Sequence, residues 1–264
     1  MSGEDVFRGC ALACVLAFGR VLSAAGQDDG AVLPNLAGRW AMVQVMPALT
    51  SLPLVGNVEL TTISTALVDV EQTGTSLVLR DVYCFTDVRM TPGVASSRVP
   101  DAFIASLTPA PRLASLESCD GGWCLVQPAV VEVRGAVLGD PFCDPLPTDA
   151  RDPRVWDQDG DGHPGLTVDV TAAGFVSGET YVVQRLQFSL LGRIVDDDTI
   201  CGWMSWTSEQ DVVAASNSLL RMSYEYRPHP DPARSVFAMR RADPSWTCET
   251  VRALLPELLR IAGD

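Results

Sequence analysis

The feature that most constrains this chain is a period-two alternation of apolar and polar residues, repeated in short runs from residue 39 onward. Successive side chains of an extended strand point to opposite faces, so such runs predict half-buried antiparallel strands. In residues 39–45, Trp40, Met42 and Gln44 share one side. In residues 58–71, Leu60, Ala66, Val68 and Val70 take one face, and Thr61, Thr65, Asp69 and Glu71 the other. Gly74 marks a hairpin, after which Leu77, Leu79, Tyr83 and Phe85 are in phase. Residues 129–134, 166–170, 180–195, 200–208 and 235–241 read as further strands, with Asp196-Asp197-Asp198 as a turn. Residues 212–222 fit either a strand or a helix. Prolines at 92, 100, 109, 111 and 128 make residues 90–128 read as a long connection, and residues 139–154 read as loop. Asp243-Pro244 offers a helix start, with a capping acceptor and a proline at the first helical position. That helix carries Val251, Leu254, Leu255, Leu258 and Leu259, with a kink at Pro256. The expectation is one mostly β domain over 36–264: an antiparallel β-barrel or a sandwich with a C-terminal helix. A barrel has the advantage of leaving no exposed strand edge.

Residues 1–25 have the pattern of an export signal. Arg8 precedes an apolar run over 9–19, and Ser23-Ala24-Ala25 places small residues before a cleavage point. Glu4, Asp5 and Arg20 depart from that pattern. The run falls short of the roughly 20 apolar residues that a membrane span requires. Residues 26–35 then form a polar lead-in. Cleavage after Ala25 leaves Cys84, Cys119, Cys124, Cys143, Cys201 and Cys248. An even set in an exported chain predicts disulfides, and Gly121-Gly122 lets the chain reverse between Cys119 and Cys124. The expected location is secreted, periplasmic or in the cell envelope.

The formal net charge of -14 disfavours nucleic acid, whose phosphates need basic side chains to replace their counterions, and it attracts cations. All 19 basic residues are arginine, which excludes Schiff-base catalysis and a phosphate-loop lysine. With only His163 and His229, a Ser-His-Asp triad or a three-histidine zinc site is disfavoured.

The chemistry concentrates in Asp157-Gln158-Asp159-Gly160-Asp161-Gly162-His163. Carboxylates at alternate positions converge on one hard cation, and the glycine at the sixth position makes the sharp turn. This stretch resembles the first half of an EF-hand loop, and also the calcium loops of dockerin and thrombospondin type 3 repeats. The resemblance implies Ca2+ as cofactor, held by Asp157, Asp159 and Asp161 with the His163 carbonyl. The twelfth position, a glutamate in EF-hands, is Val168 here, and helices are not expected on either side. The reading is therefore a strand-flanked calcium loop over 157–169, completed by Asp152, Asp169 or a distant carboxylate.

A second resemblance lies at Gly38-Arg39-Trp40, which is similar to the opening of the lipocalin and wider calycin barrels. It implies that Trp40 closes one end of the barrel under a late arginine, Arg240 or Arg241. It also implies a cup for a small apolar ligand, with Trp203 and Trp206 as lining candidates on opposite faces.

Three classes of function remain open. The first is an exported calcium-binding β-domain with a structural or envelope role. The second is a carrier of a small apolar ligand, and the third is a carboxylate-dependent hydrolase. No carboxylate pair is singled out by spacing, so no catalytic residue is assigned and an enzyme is disfavoured. Glu179 and Arg185 are a candidate ion pair of the long strand region. No protein partner is named by the sequence.

Overall fold

The computed structural model describes residues 32–263 except 53–55, 92–94, 121, 173–175 and 223–224. The predicted export segment 1–25 lies outside the described residues, as does most of the predicted lead-in. The strands and helices all belong to the unit Leu33–Asp264.

Eleven strands occur among the described residues: β1 (Gly38–Leu52), β2 (Gly56–Thr73), β3 (Ser76–Thr91), β4 (Ala95–Arg98), β5 (Arg112–Cys119), β6 (Gly122–Arg134), β7 (Leu166–Ala172), β8 (Val176–Asp196), β9 (Thr199–Ala215), β10 (Arg227–Pro228) and β11 (Val236–Arg241). Helices α1 (Asp101–Ser106), α2 (Cys248–Ala253) and α3 (Leu255–Gly263) complete the fold. All strand pairings are antiparallel. Strand β1 pairs with β2 and β11, β11 with β9, β9 with β8, and β2 with β3. The remaining gap, from β3 to β8, is bridged by two arms. One arm is β5–β6, which joins β3 at residues 76–79 and β8 at 184–193. The other is β4–β7, which joins β3 at 87–88 and β8 at 176–182. Through either arm the pairings close into a barrel-like ring of eight strands, with β10 beside β1.

Alternation sorts the apolar residues onto the two faces of this wall. Trp40, Met42 and Met46 of β1, with Leu60, Val68, Leu77, Phe188, Trp206 and Phe237, form the interior core. The intervening Ala41 and Val43, with Ile63, Leu67 and Phe85, form an outer cluster covered by Val251, Leu258 and Ile261 of the terminal helices. A third cluster packs Leu138 and Leu146, from the loop after β6, onto Tyr181, Val183 and Val213. Burial of apolar area at about 25 cal/mol per Å2 makes these three contacts the main stabilising force.

The structure corrects several expectations. The span 90–128 is not a long connection but holds β4, α1, β5 and most of β6. Pro100, Pro109 and Pro111 fall between elements, and Pro128 sits where the β6–β8 register shifts between Gln127 and Val130, so none breaks a ladder. Phe85 leaves the phase of Leu77 and Leu79, because a register shift between Thr65 and Ala66 turns it outward. The terminal helix starts later than Asp243-Pro244. Asp243 caps a turn by accepting from the Ser245 amide and hydroxyl, and Thr247 caps α2 through a reciprocal bond with Thr250. The break before Pro256 is present, dividing α2 from α3. Residues 212–215 continue β9, followed by a single 3-10 turn at Ser218–Leu220. Trp206 is buried in the interior, whereas Trp203 is 55% exposed and does not line it.

Disulfides join Cys119 to Cys124 and Cys84 to Cys248. The second staples α2 to the outer face of β3, across 164 residues of sequence. Cys143 and Cys201 take part in neither bridge.

At the fork of the wall lies a buried polar network. Arg112 of β5 is 2% exposed and Asp81 of β3 is 1% exposed, and they form a bidentate pair at 2.5 and 2.7 Å. Arg112 also donates to Gln127. Beside them, Glu132 accepts from the Tyr83 hydroxyl at 2.8 Å and from Arg134 at 2.6 Å. Burial pushes the Tyr83 phenol far up, and the Glu132 carboxylate adds to that shift.

Candidate metal centre

The acidic loop connects the outer layer after β6 to the start of β7. Its ends are pinched together: the Gln158 amide donates to the Gly165 carbonyl at 3.0 Å, and the Gly165 amide to the Trp156 carbonyl at 2.9 Å. The pinch sits hard against β8. A side chain at Gly165 would place its Cβ 2.4 Å from the Val182 carbonyl, and one at Gly135 would place it 2.7 Å away, so only glycine fits at either position. At the sharp bend Gly162 has φ +91, a conformation most side chains avoid.

Within this frame the three carboxylates converge. Each of Asp157, Asp159 and Asp161 offers an oxygen within 4.8 Å of the others. Backbone amides hold them in place. Asp157 accepts from Gly160 at 2.8 Å, Asp161 at 3.2 Å and Gly162 at 2.9 Å. Asp161 accepts from the His163 amide at 2.8 Å and from the Thr167 hydroxyl at 2.5 Å. Asp159 accepts from the Thr167 amide at 2.9 Å, using Oδ2. Its other oxygen, Oδ1, is buried and has no hydrogen-bond partner. Burial pushes the Asp159 carboxyl up, opposed by the Thr167 amide and reinforced by the nearby Asp161 and Asp157 carboxylates.

A buried, unpartnered carboxylate oxygen beside two further carboxylates is costly unless a cation neutralises the group. The donor set is all oxygen and carries three negative charges, which suits a hard divalent ion rather than a soft metal. The cluster can therefore hold a metal ion.

The other two predicted carboxylates, Asp169 and Asp152, are placed elsewhere. Asp169 does not join the triad. It lies in β7 directly across from Arg98 of β4, and their side chains pair at 3.9 Å. Asp152 is likewise held by Arg154 at 2.7 Å. The His163 imidazole stacks on Tyr181 with centroids 4.2 Å apart and planes 9° from parallel. Its Nε2 lies 3.4 Å from the Tyr181 hydroxyl, which donates to Glu179 at 3.0 Å. Burial, then this bond to Glu179, pushes the Tyr181 phenol up to about 12. The ring thus anchors the loop tip to β8. Glu179 and Arg185 do not pair; Arg185 reaches Glu209 instead.

The residue that sequence reasoning passed over is Gln158, read only as the spacer between two ligands. Its side chain accepts from the Gly135 amide at 2.7 Å and donates to the Ser106 carbonyl at 3.3 Å. Thr167 was missed in the same way. Only the fold brings its hydroxyl and amide beside the triad.

At the opposite end of the barrel, Arg241 and not Arg240 lies over Trp40, 4.4 Å from the ring centroid. Arg240 alternates to the outer face and pairs with Glu257 of α3. Comparison with family models, with curated proteins and with solved structures finds no match.

Proposed function

We propose that the chain is an exported calcium-binding barrel domain, in which one Ca2+ at Asp157, Asp159 and Asp161 fixes the loop between the outer layer and β7. The buried Oδ1 of Asp159 carries this reading, since it has no hydrogen-bond partner and gains most from a cation. Calcium is favoured over magnesium because it accepts several carboxylates in an adaptable shell, whereas magnesium retains more of its water. The two disulfides support export, because such bridges persist in oxidising compartments. The ion's role is structural. Backbone amides of the loop and the Thr167 hydroxyl bond to the three carboxylates, which ties the ion's position to the conformation of the loop. A calorimetric titration tests the reading. It should give one site with Kd of about 10⁻⁴ to 10⁻³ M, as in extracellular calcium modules, and weaker binding of magnesium. Unchanged calcium binding in Asp159→Asn would overturn it.

A second reading, a carrier of a small apolar ligand, draws on Gln44. This residue is in phase with Trp40 and Met42, is 1% exposed, and has an amide nitrogen with no hydrogen-bond partner. A ligand acceptor oxygen would satisfy it. Saturable binding of a fluorescent fatty-acid probe, weakened in Gln44→Leu, would favour this reading.

A further inference from the structure

The side chain between the first two ligands reaches out of the loop in two directions. Gln158 Oε1 holds the Gly135 amide just beyond the end of β6, and Nε2 holds the Ser106 carbonyl at the end of α1. Helix α1 is short, with six residues, and its Pro100 cap makes no side-chain hydrogen bond to it. Such a helix is marginal by itself and depends on packing. That packing is at the fork of the wall. Phe103 and Ile104 are buried in the interior core, and α1 packs against β3 and β7. Between its pairings with β5 at 76–79 and β4 at 87–88, β3 presents the buried Asp81 and Tyr83. The helix lies in the chain between β4 and β5, the first strands of the two arms.

We propose that the calcium loop regulates this fork. The ion locks Gln158 between two of its ligands, and Gln158 in turn pins α1 and the end of β6. Loss of the ion frees the Gln158 side chain and loosens α1, so calcium concentration sets how firmly the barrel wall is sealed between its two arms. The proposal rests on the calcium reading above. It adds a direction of transmission: backbone order at the triad becomes hydrogen-bond order at Ser106, about 50 residues earlier in the chain. Val168 and Leu166, which carry the other end of the loop into the interior core, offer a competing route through β7.

Amide hydrogen exchange of the intact protein separates these possibilities, measured with calcium and with chelator. The reporters for the loop are the amides of Gly160, Gly162 and Thr167, which bond to the triad. The reporters for α1 are the amides of Ile104 and Leu107, which bond to Pro100 and Ile104. In the wild type, calcium should slow both sets, with α1 slowed on the order of tenfold, within the range usual for coupled sites. In Gln158→Ala, calcium should still protect the loop but leave α1 unchanged. Gln158→Glu keeps an acceptor for Gly135 and loses the donor for Ser106, so it should also uncouple α1. This second variant keeps the test decisive if the alanine variant does not fold. Loop protection without α1 protection in the wild type overturns the coupling and leaves the calcium reading standing. Equal α1 protection in the wild type and both variants assigns the transmission to β7 and overturns the role of Gln158. No loop protection by calcium in the wild type removes the calcium reading and the coupling together.

Discussion

The guanidinium of Arg241 lies over the indole of Trp40 and ties the chain's entry into the barrel to its last strand. Besides the 4.4 Å ring contact, Arg241 donates to the carbonyls of Asn35 at 2.8 Å, Ala37 at 3.1 Å and Asp197 at 2.9 Å. The Trp40 indole N–H donates to the Leu36 carbonyl at 2.8 Å. Trp40→Ala should cost about 3 to 5 kcal/mol, as for other buried large aromatics. Arg241→Lys keeps the charge but cannot reach three carbonyls with a planar fork, and should cost about 1 to 3 kcal/mol. Urea unfolding measures both. A lysine variant as stable as the wild type would mean that the fork adds nothing.

The Asp81–Arg112 pair is buried on both sides, so breaking it differs from replacing it. Asp81→Ala strands a guanidinium in the interior and should destabilise by about 3 to 5 kcal/mol. The double replacement Asp81→Leu with Arg112→Met removes both charges and should recover most of that loss. Chemical denaturation of the single and double variants checks the difference. Additive losses would contradict a coupled pair.

The two disulfides should contribute unequally. Chain-entropy arguments assign about 5 kcal/mol to a closed loop of some 160 residues and about 2 kcal/mol to one of six. Replacing Cys84 and Cys248 by serine should therefore lower Tm much more than replacing Cys119 and Cys124. It should also expose the helix pair α2–α3 to proteolysis before the barrel.

The Arg39–Asp69 pair gives a pH signature. The hydrogen bonds from Arg39, at 2.8 and 2.9 Å, hold the Asp69 carboxyl below its ordinary value, opposed by partial burial. A carboxyl lowered in the folded state adds stability above its unfolded pKa and loses it as pH falls through the folded one. Both side chains are partly exposed, so the effect is at most about 1 kcal/mol. The stability gap between wild type and Asp69→Asn should therefore close on acidification below about pH 4. A constant gap down to pH 2 would assign it to packing.

Much of the wall was legible because β1, β2, β8 and β11 bury one face and expose or cover the other, which writes itself as alternation. The hidden part has identifiable causes. Prolines punctuating β4, α1 and β5 mimic a loop, since a proline between elements and one within a coil look alike in sequence. The shift opposite Thr65 and Ala66 inverts the phase of β3 without leaving a glycine or proline to signal it. Asp81 is in phase with Leu77 and Leu79, so its inward position was readable, but its partner Arg112 becomes visible only once β5 pairs with β3. At the site, the triad is local and was legible. Gln158 and Thr167 were not, because their partners, Ser106, Gly135, Asp159 and Asp161, meet them through the fold.

The central claim is that the triad binds calcium, and thermal unfolding with calcium and with chelator tests it most directly. At 100 times its dissociation constant a ligand adds about 2.7 kcal/mol of stability. With Kd near 10⁻⁴ M, about 10 mM calcium should raise the wild-type Tm by several degrees, and magnesium by less. Asp159→Asn combined with Asp161→Asn should remove that rise while leaving the protein folded in chelator. An equal calcium-induced rise in the wild type and the double variant would show that the ion binds elsewhere and that this loop is only a turn.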